Sequence, residues 1–118
     1  MYSVKAEAYF SAAHNLRGYK GKCESLHGHN WKVEVVVSAR ALDKIGMLVD
    51  FKALKKELYA ILEKLDHSYL NKLTYFKKIN PTSENIAKFI YDRLALKLDG
   101  LDSVTVWESQ GCSATYEK

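Results

Sequence analysis

Two stretches of strict alternation constrain this chain more than anything else in it. Between Tyr2 and His14, the residues Tyr2, Val4, Ala6, Ala8, Phe10 and Ala12 alternate with Ser3, Lys5, Glu7, Tyr9 and Ser11, which is the period of a strand with one buried face. Between His27 and Ala39, Trp31, Val33, Val35 and Val37 alternate with Lys32 and Glu34 in the same way. The segment Asn15 to Leu26 carries Gly18 and Gly21 and reads as a loop. Strand, loop and strand predict a long antiparallel pair. A length of 118 residues suits one domain, 1–118, with no second unit for a cofactor. A core of that size cannot enclose a deep cavity without weakening itself, so any small-molecule site is expected to be shallow or shared between subunits.

Two helices follow. Asp50 is placed to cap a helix whose inward face is Phe51, Leu54, Leu58, Ile61, Leu62 and Leu65, with Lys52, Lys55, Lys56 and Glu63 turned to solvent. After a loop from Asp66 to Asn80, Pro81-Thr82-Ser83-Glu84-Asn85 is a helix start, with a hydroxyl to cap it and Glu84 in its first turn. Ile86, Phe89, Ile90 and Leu94 form its buried stripe. Val104–Trp107 and Ala114–Tyr116 then read as strands around a Ser109-Gln110-Gly111 turn. The order ββααββ predicts an α+β fold: an antiparallel sheet with two helices on one face.

The excess of 18 Lys+Arg over 14 Asp+Glu admits nucleic acid, anionic lipid or a phosphorylated substrate as partner. The basic residues are interleaved with acids rather than gathered, which argues for a solvated surface over a nucleic-acid footprint. Lys5 and Glu7 interrupt the N-terminal apolar stretch, and no segment is long enough to span a membrane, so a cytoplasmic location without membrane contact is expected. Cys23 and Cys112 are then expected to be reduced thiols.

The chemistry concentrates in a few positions. In His27-Gly28-His29, alternate residues of a strand point the same way, so both imidazoles can converge on one ion, and His14 at the end of the neighbouring strand can join them. Three nitrogen ligands and an open fourth position describe a catalytic zinc site; two hydrogen-bonded histidines at a strand end are the plain alternative, and spacing leaves both open. Cys23 precedes His27 by four positions and could be a thiolate base or an incidental small residue. Asp66-His67 could be a polarised proton carrier or a histidine at a helix C-terminus. Glu108 shares an alternation face with Val104 and Val106, where a carboxylate demands a partner unless the strand frays. Cys112 has no acid or histidine beside it in sequence and reads as packing, while Arg17, Lys20 and Lys22 could meet phosphates or form an ordinary basic loop.

Phe10-Ser11-Ala12-Ala13-His14, Cys23-Glu24-Ser25-Leu26-His27-Gly28-His29, Met47-Leu48-Val49-Asp50-Phe51, Leu65-Asp66-His67, Pro81-Thr82-Ser83-Glu84-Asn85 and the late Glu108 together resemble, in order and spacing, the 6-pyruvoyl-tetrahydropterin and 6-carboxy-tetrahydropterin synthase family. The resemblance implies the tunnelling fold (T-fold), in which ββααββ subunits join sheets into barrels and two rings stack, a hexamer as a dimer of trimers with sites at subunit boundaries. It implies one zinc per subunit on His14, His27 and His29, Cys23 as general base, and Asp66 and His67 as its relay. Glu108 would anchor a pterin ring, helped by Thr82 and Ser83.

The implied substrate is 7,8-dihydroneopterin triphosphate. The three-residue gap between Cys23 and His27 resembles the bacterial carboxy-forming branch, which yields 6-carboxy-5,6,7,8-tetrahydropterin, acetaldehyde and triphosphate on the way to queuosine. Glu24 beside Cys23 is a possible second acid or base, as in a cleavage-only branch, so pyruvoyl formation or retro-aldol cleavage is the alternative. A non-enzymatic polyanion-binding module is the competing class; the intact cysteine, Asp-His pair and three ligands weigh against it.

Overall fold

The computed structural model describes the backbone of residues 1–118 and every side chain except that of Cys23. Strands β1 (Tyr2–His14) and β2 (His27–Ala39) pair antiparallel along their full length, from Tyr2 opposite Ala39 to His14 opposite His27. Helix α1 (Phe51–Leu62) follows, then a two-residue strand β3 (Ser68–Tyr69), helix α2 (Ser83–Leu94), and the hairpin of β4 (Leu101–Ser109) and β5 (Cys112–Glu117). The sheet order is β3-β1-β2-β4-β5.

The α+β expectation holds, with one refinement. The segment Asp66–Asn80 is not plain loop: it contributes β3, parallel to β1 through Ala12–Ser68 and Ala13–Tyr69, and short 3-10 turns at Leu70–Lys72 and Thr74–Phe76. The sheet is therefore mixed. The cause is tertiary: His67 N–H donates to Ser11 O at 2.6 Å and Ser11 N–H donates to Asp66 Oδ1 at 2.8 Å, which no local pattern announces.

One alternation face of the sheet supplies Ala6, Ala8, Phe10, Trp31, Val33, Val35, Val104 and Val106 to the core. Both helices cover that face, α1 with Leu54, Leu58, Ile61 and Leu62, and α2 with Ile86, Phe89, Ile90 and Leu94. Each buried leucine or isoleucine contributes about 1.5–3 kcal/mol relative to exposure. Phe51 departs from the expected inward face: at the first helical position it is 52% exposed, and the buried stripe of α1 begins one turn later at Leu54. Both caps form as expected, Asp50 accepting from Lys52 N–H at 2.9 Å and Thr82 Oγ1 accepting from Asn85 N–H at 3.1 Å. Among the described residues, no helix is long and apolar enough to cross a membrane.

The other sheet face is uncovered and polar. Lys32 Nζ lies 3.3 Å from Glu34 and 3.7 Å from Glu7, Lys5 lies 3.6 Å from Glu34, and Trp107 Nε1 donates to Glu34 at 3.1 Å. Being exposed, these pairs order the face more than they stabilise it.

At the entry to β4, Gly100 has φ of 76°, and its carbonyl accepts from Ser38 N–H at 2.9 Å. A Cβ there would stand 2.5 Å from Ser38 O. Gly100→Ala should therefore destabilise the protein by ~2 kcal/mol in denaturant titration, from a left-handed backbone and a clash with backbone. Gly111→Ala, whose Cβ would meet nothing within 4 Å, should stay within ~0.5 kcal/mol of wild type.

Candidate metal centre

The β1–β2 register builds the site. With His14 opposite His27 and Ala12 opposite His29, all three imidazoles emerge on the core face at the end of the sheet, one step beyond Trp31. His14 packs edge-on to His27 and His29 with ring centroids 4.5 and 5.3 Å away, and edge-on to Trp31 at 4.9 Å. Glu108 joins from β4. Ligand atoms of His14, His27, His29 and Glu108 all lie within 4.8 Å of one another.

Two carbonyls set the histidines' tautomers. His14 Nδ1 donates to Pro81 O at 2.8 Å and His27 Nδ1 donates to Ser25 O at 2.7 Å. A carbonyl only accepts, so the proton resides on Nδ1 and the Nε2 lone pair is left bare. Burial pushes His14 and His29 below the ordinary histidine value, against the opposing pull of the Pro81 carbonyl on His14 and of Glu108 on both. Neutral rings are what a metal requires.

Glu108 Oε1 lies 2.9 Å from His29 Nε2, 3.2 Å from His14 Nε2 and 4.0 Å from His27 Nε2. Yet the Nε2 atoms of His14 and His29 are buried without a hydrogen-bond partner. With its proton held on Nδ1, His14 turns the Nε2 lone pair against the Glu108 carboxylate at 3.2 Å, a contact that repels unless a cation lies between them. The donor set of three imidazoles and a carboxylate fits a divalent metal ion.

A β-bulge marks Glu108. On β4 the pairing steps from Trp107–Ser113 to Ser109–Cys112, leaving Glu108 as the extra residue. Alternation with Val104 and Val106 puts Glu108 on the core face, and the register shift falls at this residue. A cavity of about 370 Å³ opens on the cluster, lined by Lys22, His27, His29, Glu108, Ser109 and Cys112. Cys112 thus corrects the sequence reading: it is exposed and borders the metal cavity, because the Gln110–Gly111 turn folds it back beside Ser109. The turn was visible in the sequence; its direction over the histidines was not.

The other expected residues are distributed around this centre. Thr82 and Ser83 begin α2 directly after Pro81, whose carbonyl holds His14, so the helix start is tied to a ligand. Arg17 is anchored through one end of its guanidinium, Nη2 donating to Phe76 O at 2.6 Å and Ile79 O at 3.0 Å. Glu24 is exposed in the 3-10 turn Lys22–Glu24. The backbone of Cys23 lies in that turn, but its side chain, and with it the expected base, lies outside the described residues.

Asp66 and His67 form a pair, with His67 Nδ1 3.0 Å from Asp66 Oδ2, but they do not border the metal cavity. His67 lines a separate cavity with Ser11, Ala13, Asn30 and Ser68, and only His29 borders both. Its backbone is left-handed, φ 55°, and its ring is 83% exposed. Such strain in a non-glycine residue is characteristic of functional positions. The Ser11 N–H above all, opposed by desolvation and aided by His67, holds the Asp66 carboxyl below its ordinary value of 3.8.

Two outcomes follow from this geometry. His14→Ala and His29→Ala proteins should fail to retain metal through gel filtration, as read by elemental analysis, whereas wild type retains it. A depressed carboxyl stabilises the fold above pH 3.8 and loses that contribution as pH falls through and below it. The melting temperature of Asp66→Ala should therefore lie below wild type at neutral pH and converge on it upon acidification.

Comparison with known proteins fits the whole chain. The model of the 6-pyruvoyl tetrahydropterin synthase family matches residues 3–118. A Synechocystis protein named 6-carboxy-5,6,7,8-tetrahydropterin synthase is 38% identical over 98% of this chain and 93% of its own. A Pyrococcus furiosus protein named dihydroneopterin monophosphate aldolase is 39% identical over 86% of this chain and 84% of its own. The solved structure of Caenorhabditis elegans 6-pyruvoyl tetrahydropterin synthase superposes with a TM-score of 0.91 at 31% identity, covering 99% of this chain and 95% of that one. With sequence, sheet order and the histidine cluster in agreement, this chain belongs to the 6-pyruvoyl tetrahydropterin synthase family.

Proposed function

We propose that this protein is a zinc-dependent lyase that converts 7,8-dihydroneopterin triphosphate to 6-carboxy-5,6,7,8-tetrahydropterin, releasing acetaldehyde and triphosphate, as a step toward queuosine and other deazapurines. The observation that carries the reading is the histidine cluster: His14 and His27 are fixed by Nδ1–H bonds to carbonyls, and His29 and Glu108 join them within 4.8 Å beside a cavity that His27, His29 and Glu108 line. The carboxy-forming branch is favoured by the short Cys23–His27 spacing and by the name of the Synechocystis relative.

His14, His27 and His29 would hold the zinc, which when bound acidifies the side-chain hydroxyls of the substrate. Cys23, on the turn leading into β2, would remove a side-chain proton as thiolate. His67 would carry the second proton: Asp66 accepts its Nδ1–H, so Nε2 is the nitrogen left to exchange protons with substrate. Glu108 would accept the 2-amino and ring N–H edge of the pterin, a paired geometry few heterocycles match, with Thr82 and Ser83 at the helix start supporting the ring. Lys22, on the rim of the metal cavity, is a candidate to receive the phosphates.

The separation of His67 from the metal cavity of its own chain supports a site completed between subunits. So do the sheet edges: among the described residues β1 from Tyr2 to Phe10 has no outer partner, and β5 pairs only with β4. Open edges are usually covered, and joining them between copies closes a barrel. We read the single domain 1–118 as a cytoplasmic protomer of a hexamer built as a dimer of trimers, one zinc per subunit.

Incubating the zinc-loaded protein with 7,8-dihydroneopterin triphosphate should yield acetaldehyde and 6-carboxy-tetrahydropterin by mass spectrometry. Pyruvoyl product in their place overturns the branch, and side-chain cleavage alone favours the aldolase reading, which Glu24 and the Pyrococcus relative support. Absence of any turnover favours a polyanion-binding module. Cys23→Ala should keep zinc and lose at least ~100-fold in kcat, the typical weight of a positioned acid–base group. His67→Ala and His29→Ala chains, each inactive alone, should recover part of the activity when refolded together, because mixed assemblies contain boundaries with one intact cluster and one intact relay. No recovery would place the relay and the metal in the same chain.

A further inference from the structure

We infer that Glu108 is a two-position carboxylate: in the ligand-free protein it is a fourth donor to the metal, and it leaves the metal to grip the ring, so that ring binding and metal binding oppose each other. The inference rests on the metal-centre and ring-anchor readings above and concerns how one side chain serves both. Oε1 is turned inward, 2.9 Å from His29 Nε2 and 3.2 Å from His14 Nε2. No hydrogen bond or ion pair holds Oε2 among the described residues, while the side chain is 32% exposed and lines the cavity with Ser109 and Cys112. Oε1 thus belongs to the histidines, while the carboxylate is also open to the cavity.

A ring edge with two parallel N–H donors needs both oxygens of one carboxylate turned toward it. An Oε1 committed to a metal held by His14 and His29 cannot also lie in line with a ring N–H beside Oε2, so the two tasks exclude each other. The bulge makes movement feasible. Position 108 has no partner in the β4–β5 register, and the β2–β4 pairing reaches only to Lys32–Trp107. The side chain can therefore turn without breaking a ladder hydrogen bond. Three histidines and a carboxylate describe a closed site, while three histidines alone describe an open one. Ring recognition would thus free the metal position only when a ligand with the right edge is present.

Linkage makes the consequence measurable: if ring binding removes a metal donor, it weakens metal binding, and metal weakens ring binding by the same factor. The probe is pterin itself, 2-aminopteridin-4-one, which has the ring edge but no side-chain hydroxyls, with its binding followed by fluorescence. Zinc affinity of the full-length protein is measured by competition with a chromophoric chelator. Saturating pterin should weaken zinc binding by wild type roughly 5- to 100-fold, the usual range of such couplings. Glu108→Gln should bind zinc at least ~10-fold more weakly than wild type without pterin, and pterin should no longer change that value.

Unchanged or tightened zinc binding by wild type in pterin, or wild-type zinc affinity in Glu108→Gln, overturns the inference. His29→Ala separates the levels. If it loses zinc while Glu108→Gln does not, only the role of Glu108 falls; if both bind as wild type, the metal centre falls with it.

Discussion

The pairing of β1 with β2 is the constraint on which the rest of the structure depends. Thirteen residues on each strand are held in one register, and that register alone decides that His14 and His27 stand opposite each other with His29 on the same face. A slip of one residue would turn one strand's ligands to the other side of the sheet, since side chains alternate with period two. The same alternation that buries Phe10, Trp31 and Val33 therefore aims the imidazoles, and the hydrophobic core acts as the jig for the candidate metal centre.

The core ends where the site begins. Trp31 is fully buried and donates to Ala12 O at 3.2 Å, closing the apolar layer beneath the histidines and meeting His14 and His29 edge-on. Beyond it, polar groups are matched one by one. Pro81 O takes the His14 proton and Ser25 O that of His27, and Asn71 bonds both the N–H and the C=O of Asn15 immediately after the ligand. Among the described residues, the Nε2 atoms of His14 and His29 are the buried side-chain polar atoms left over. A buried network satisfied around one convergent point fits a candidate binding site better than any single residue does.

The two faces of the sheet divide the labour. The covered face carries the core and the metal cluster, while the bare face carries the ion pairs of Lys5, Glu7, Lys32 and Glu34. Asp66 and His67 hang from the Ser11 backbone at the edge of β1, Asp66 half-buried and His67 exposed with a left-handed backbone, away from the cavity that Glu108 and His27 line. A small domain that cannot enclose a substrate can still build a closed pocket if its neighbour supplies the missing wall.

Much of this was legible in the sequence, because alternation, capping and the His-x-His spacing are local patterns with local causes. Both long strands, both helix caps, the buried stripe of α2 and the shared face of the three histidines follow from residue order alone, whereas spacing left their role open. Other features depend on contacts between distant residues: the parallel β3, set by Ser11 meeting Asp66 and His67; the outward Phe51; the capture of Arg17 by carbonyls of the 76–79 segment; and Cys112 on the metal cavity. Glu108 shows the boundary most clearly. Its alternation face was readable, but the bulge that lifts it out of register arises from how β4 meets β5, and a strand's pairing is not written in the strand itself. The sequence by itself determined which side chains could share a face; only the tertiary structure decided which of them meet, because convergence at a point depends on register, bulges and carbonyls contributed from elsewhere in the chain.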